Sequence, residues 1–156
     1  MAHVIGGPPR VGTARKPVNA VIVSDIHAPY HKEAWVARAV DFAPRAGPDA
    51  VAIMAGDTVD CNSLAHHTPY EDGPSLEEEL EAAQGIINRF AEAYKYIYVT
   101  LGNHEFRATR KLTQLTPKLF MQMLLSKAPG NVMGSPRWFS WLNDKWFVTH
   151  PQRYSK

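Results

Sequence analysis

Aspartate, asparagine and histidine recur in this chain in short clusters, each placed directly after an apolar run. Asp25-Ile26-His27 follows Val18–Ser24, Gly56-Asp57 follows the run 49–55, and Gly102-Asn103-His104-Glu105 follows the run 96–101. His150 stands just past a last apolar run, 145–149. Carboxylate, amide and imidazole donors together suit borderline divalent cations such as Mn²⁺, Fe²⁺ and Zn²⁺. A carboxylate such as Asp57 can bridge two ions through its two oxygens. Two ions roughly 3.5–4 Å apart activate a water and clamp the attacking and leaving oxygens of a phosphate. In Asp25-Ile26-His27 the one-residue gap directs both side chains the same way if the local chain is extended. Singly, each cluster has a plainer explanation: Gly-Asp is a common turn pair, and Asn after Gly can cap a helix. Their serial order at successive strand ends is what carries the reading.

The elements that must position these residues follow from hydrophobic pattern. Val18–Ser24 is short, rich in Val and Ile, and reads as a strand buried on both faces. Residues 32–43 read as a helix, and 49–55 as a second strand. Ser75 opens the clearest helix: Leu76, Leu80, Ala83, Ile87, Phe90 and Tyr94 line one face, and Ser75 with Glu78 forms a capping box. Residues 96–101 read as a third strand, 105–112 and 117–126 as helices, and 138–142 with 145–149 as a hairpin turning at Asn143-Asp144. The β-α-β-α-β order predicts an α/β layered fold with its first strands parallel. Open parallel sheets bind ligands outside the carboxyl ends of their strands, so the clusters should converge on one edge. Residues 1–17, with Gly6, Gly7, Pro8, Pro9, Gly12 and Pro17, read as a flexible lead-in, leaving 18–156 as the domain.

In this serial order the motifs resemble those of the calcineurin-like metallophosphoesterase superfamily, with small bacterial or phage-type phosphodiesterases the nearest in build. The matching blocks are Asp25-Ile26-His27, Gly56-Asp57-Thr58-Val59-Asp60, Gly102-Asn103-His104-Glu105 and the later His150. The resemblance implies an α/β/β/α layered fold of sheets flanked by helices. It also implies one divalent ion held by Asp25, His27 and Asp57, and a second held by Asp57, Asn103 and His150. Mn²⁺ is the foremost candidate, with Fe, Zn and Ni as alternatives. His104 matches the histidine that protonates the leaving oxygen, while Asp60 and Glu105 match residues that orient the ligands. Attack by a metal-activated hydroxide without a covalent enzyme intermediate is implied too. The substrate would be a phosphoester, with nucleotides, cyclic nucleotides, nucleic acids and phosphoproteins not distinguished. The family's final Gly-His-x-His does not follow His150. The expectation is therefore a domain lacking its C-terminal part, its site completed by a further segment or a second chain. A catalytically inactive metal-binding module is the alternative.

The remaining composition constrains rather than directs. A length of 156 residues, 45% hydrophobic and 21% charged, fits one soluble globular domain. A formal net charge of +2 is too mild to argue for nucleic-acid binding. Cys61 is the only cysteine, so no internal disulfide exists and a reducing, cytoplasmic setting is expected. No signal or membrane anchor is read at the N-terminus. Arg107, a helical turn beyond the Asn-His cluster, is a candidate for a phosphate oxygen. Tyr70 is a second candidate for substrate contact, in the polar loop that also holds His66-His67, which read as solvated. The aromatics Trp138, Phe139, Trp141, Trp146 and Phe147 read as core packing of the hairpin or a buried interface rather than a base-stacking surface.

Overall fold

A computed structural model describes residues 1–65 and 73–151. The apolar runs form β3 (Ala20–Val23), β4 (Val51–Ala55) and β5 (Tyr96–Thr100), which pair in parallel as a continuous ladder. Two strands not anticipated from pattern complete this sheet. They are β6 (Val132–Gly134) beside β5 and β1 (His3–Val4) beside β6, giving the order β1-β6-β5-β4-β3. A second sheet joins β2 (Arg10–Val11), β7 (Phe139–Leu142) and β8 (Trp146–Thr149).

Side-chain alternation along β4 shows why the two sheets lie face to face. Ala52 and Met54 belong to the large core on the helical side, whereas Val51, Ile53 and Ala55 pack with Val11, Leu142 and Val148 of the small sheet. A strand whose five residues are all buried reads as a continuous apolar run because each face has a layer against it. On the helical side lie α1 (Glu33–Asp41), a short α2 (Ala43–Ala46), α3 (Leu76–Ala93) and α5 (Pro117–Leu124), which bury Val36, Leu80, Ile87, Phe90, Phe120 and Leu124. The helix α4 (Asn103–Lys111) follows β5. The layers are therefore α/β/β; among the described residues no helix covers the outer face of the small sheet.

Local chemistry sets the element ends. Ser75 accepts from the N–H of Glu78, and the Glu78 carboxylate accepts from the N–H of Ser75 at 2.7 Å, which is the expected capping box. Asn143 and Asp144 both adopt positive φ (54° and 55°), and with Lys145, whose N–H donates to Leu142 O, they form the three-residue loop that joins β7 to β8. The same Asn143 ties the N-terminal region down: its Oδ1 accepts from Val18 N at 3.0 Å and its Nδ2 donates to Val18 O at 3.1 Å.

Two expectations change. The segment 1–17, read as lacking regular structure, supplies a strand to each sheet. Only two residues pair at each place, too few to leave a periodic signal, and the intervening Gly and Pro mark the crossing between sheets. Strand β3 is an edge strand and is not buried on both faces: Ile22, on the same face as Ala20, is 48% exposed and belongs to neither core. No helix among the described residues is long and apolar enough to cross a membrane.

Candidate metal centre

Two glycines bring the strand ends together. Gly56 (φ 83°) lies so near Gly102 that an added Cβ would stand 2.7 Å from the Gly102 Cα and 2.8 Å from the His150 Cβ. A Cβ on Gly102 would meet the Asp57 Oδ1 at 2.1 Å. Both glycines are required by close backbone approach, which explains why the Asp57 and Asn103 clusters each begin with one. Beyond β3 and β4 the two loops remain paired: His27 N donates to Asp57 O at 2.9 Å, Ala28 N to Thr58 O at 2.9 Å, and Asp60 N to Ala28 O at 3.1 Å.

The one-residue gap of Asp25-Ile26-His27 works differently from expectation. Asp25 and His27 both take positive φ (54° and 53°), as does Asp57 (51°), so the chain is not extended there. Left-handed backbone at non-glycine residues costs on the order of 1–3 kcal/mol each and persists where surrounding contacts hold it. Here it aims three candidate ligands at one point.

That point is the Oδ2 of Asp57, a residue 2% exposed. Three imidazole Nε2 atoms face it: His150 at 3.3 Å, His27 at 3.8 Å and His104 at 3.8 Å. The other oxygen, Oδ1, accepts the backbone N–H of His104 at 3.0 Å, which fixes the carboxylate plane. Asp25 adds a second carboxylate, with Oδ1 3.4 Å from His150 Nε2 and 3.9 Å from His27 Nε2. Two ligands about 2.1 Å from one cation lie roughly 3–4 Å apart, so these separations suit shared ions.

The ligand atoms fall into two overlapping groups, His27-Asp57-His104 and Asp25-Asp57-His150, with Asp57 common to both. The expected partition paired Asp25 with His27 and left His104 out. The geometry instead places Asp25 closer to His150 and gives His104 the same distance to Asp57 as His27 has. Asn103 opens α4, and its Oδ1 is buried without a hydrogen-bond partner among the described residues. A buried amide oxygen without a donor is costly unless something electropositive meets it, and a cation does so. The residues present therefore fit a divalent-metal site.

Supporting contacts set the ring orientations. Asp60 Oδ1 lies 2.8 Å from His27 Nδ1, which places the proton there and leaves Nε2 as a lone pair toward Asp57. The Asp60 carbonyl, an acceptor only, lies 2.6 Å from His104 Nδ1, so that nitrogen also carries hydrogen. Arg107 Nη2 then donates to His104 Nε2 at 3.3 Å, so Arg107 faces the centre, and among the described residues it joins no ion pair. Glu105, fully buried, accepts from the N–H groups of Asp57 (3.1 Å), Thr58 (2.7 Å), Val59 (3.0 Å) and Gly102 (2.7 Å). Burial first, and the charge of Asp57 second, push its carboxyl up to about 7, against those backbone bonds. For Asp25 burial is the largest single influence and acts upward. The hydroxyl of Ser24, which donates to Asp25, and His150 outweigh it and hold the carboxyl below its ordinary range. Ser24 carries no signal in the sequence that would have marked it.

Cys61 is buried, and burial with the charges of Glu105 and Glu79 raises its thiol well above the usual range, so it is no nucleophile. Tyr70 and the His66-His67 pair lie outside the described residues. A hollow lined by Asn19, Asp49, Lys95 and Tyr98 sits at the amino ends of the strands and holds none of the clustered residues. Among curated proteins and among solved structures none matches the chain. The family described as calcineurin-like phosphoesterase matches residues 18–154, a span that contains every clustered residue named above. Family match and geometry agree, and the chain belongs to the calcineurin-like phosphoesterases.

Proposed function

We propose that this chain hydrolyses phosphoester bonds, phosphodiesters or phosphomonoesters, at a centre of two divalent ions that share Asp57. The observation that supports this most strongly is the convergence of His27, His104 and His150 on Asp57 Oδ2, with Asp25 beside them. Asp25, His27, Asp57, Asn103 and His150 are the proposed ligands. Bound ions would supply Lewis acidity and a water ionised at neutral pH.

The chain's own residues have separable tasks. Asp60 holds the proton on His27 Nδ1, keeping Nε2 ready for coordination. Glu105 holds the loop that carries Asp57 through its backbone N–H groups. His104 has the position for a general acid, but a donating Arg107 requires an unprotonated Nε2. Transfer of the Arg107 guanidinium to a phosphate oxygen of the substrate frees that nitrogen to take up a proton from solvent, which it then gives to the leaving oxygen. His104 Nε2 thus accepts a hydrogen bond from Arg107 in the free protein and serves as the acid once phosphate arrives.

Hydrolysis of bis-p-nitrophenyl phosphate and of p-nitrophenyl phosphate, with Mn²⁺ and after EDTA treatment, tests the reading. Turnover that needs the metal and is lost in Asp57→Asn is expected. Turnover indifferent to both the metal and that substitution would overturn it.

A further inference from the structure

We propose that the cleft beside Asp25 and His27 is a nucleobase subsite, in which a base on the phosphoester substrate stacks against Trp35. This deepens the reading of the centre as a phosphoesterase site and rests on it. The cleft encloses about 480 Å³, and one wall is Ser24, Asp25 and His27 themselves. A group seated in it is therefore one ester arm away from a phosphate at Asp57.

The other walls fit a flat heteroaromatic ring. Trp35 on α1 is 64% exposed and Tyr30 is 45% exposed, and both line the cleft over an apolar floor that includes Ile26 and Val36. Aromatic faces beside a phosphate site are the standard platform for single bases, since every base has a π-face to stack. A polar wall is present as well: His31, whose Nε2 faces Glu33 at 3.5 Å, also lines the cleft. The volume lies within the range of about 300–1,000 Å³ typical of small-ligand sites, enough for one nucleoside and too small for a duplex or a folded polypeptide.

Two measurements on the Mn²⁺-loaded protein test the subsite. The first compares kcat/KM for the p-nitrophenyl ester of thymidine 5′-phosphate with that for methyl p-nitrophenyl phosphate. The second compares the affinities of thymidine 5′-phosphate and methyl phosphate by equilibrium dialysis. The base-bearing compound should lead by about tenfold or more in both, on the scale of one base–aromatic stack. Trp35→Ala should erase most of that lead, and Trp35→Phe should keep most of it. Equal affinity for the two phosphates, or a lead untouched by Trp35→Ala, overturns the subsite. Preferential binding of thymidine 5′-phosphate with hydrolysis of neither ester supports the subsite and overturns the phosphoesterase reading instead.

Discussion

Asp57 and Glu105 hold each other in place through the backbone: Glu105 accepts the N–H of Asp57 at 3.1 Å, and Asp57 Oδ1 accepts the N–H of His104, the residue before Glu105, at 3.0 Å. This reciprocal clasp joins the end of β4 to the start of α4. It leaves only Asp57 Oδ2 facing the imidazoles.

Replacing Asp57 by Asn keeps an acceptor for the His104 N–H but removes the charge that the two proposed ion positions would share. Asp57→Asn should remain folded by circular dichroism. Its Mn²⁺ affinity, measured by calorimetric titration, should fall at least about tenfold, the scale seen when groups supporting a metal site are lost.

Glu105→Gln leaves at least one of the N–H donors of Asp57, Thr58, Val59 and Gly102 facing an amide NH₂. One unsatisfied buried donor costs about 1–3 kcal/mol, so chemical denaturation should show a loss of that size. A pH effect accompanies it. The folded carboxyl is raised from 4.5 to about 7, so the metal-free folded state binds the proton more tightly than the unfolded state. The stability from this group is complete below about 4.5 and is lost as pH rises through about 7, up to about 3 kcal/mol in all. Asp25, whose carboxyl is lowered from 3.8, acts in the opposite sense and only at lower pH. Thermal melts of EDTA-treated protein between pH 5 and 8 should therefore fall more steeply for the native chain than for Glu105→Gln.

Gly102→Ala places a methyl carbon 2.1 Å from Asp57 Oδ1 and 2.4 Å from the Asp57 N. The backbone of the Asp57 loop must move to accept it. A misplacement near 1 Å at a reacting site can cost about 100-fold in rate. Metal-dependent kcat should drop by about that factor or more.

Arg107→Ala removes the donor to His104 Nε2 and the cation assigned to the phosphate. KM for a phosphoester should rise and kcat/KM fall by about 10–100-fold, the equivalent of one charge-assisted hydrogen bond at about 1.5–3 kcal/mol.

Cys61→Ala should leave the metal-dependent rate within about twofold, since a thiol raised by burial takes no part in the chemistry. Native protein should resist alkylation that the denatured chain undergoes.

Much of this was legible because it rests on short-range rules. Strands 51–55 and 96–100 are apolar because both faces are covered, and Ser75 with Glu78 announces the start of α3. The Asn143-Asp144 pair announces the hairpin. The motif residues Asp25, His27, Asp57, Asn103, His104 and His150 were all marked by their types and spacing. What sequence pattern did not carry is set by long-range approach. The strands of 3–4 and 10–11 exist only because β6 and β7 offer them an edge. The left-handed backbone at Asp25 and His27, the hydroxyl of Ser24 and the contact of Arg107 with His104 likewise arise from packing between segments distant in the chain.

Electron paramagnetic resonance of the Mn²⁺-loaded protein reads directly whether Asp57 is shared by two ions. The spectrum of an exchange-coupled Mn²⁺ pair is expected, with about two ions bound per chain, collapsing to isolated or free Mn²⁺ in Asp57→Asn. A single uncoupled Mn²⁺ in the native chain, or a coupled pair that survives Asp57→Asn, would contradict that sharing.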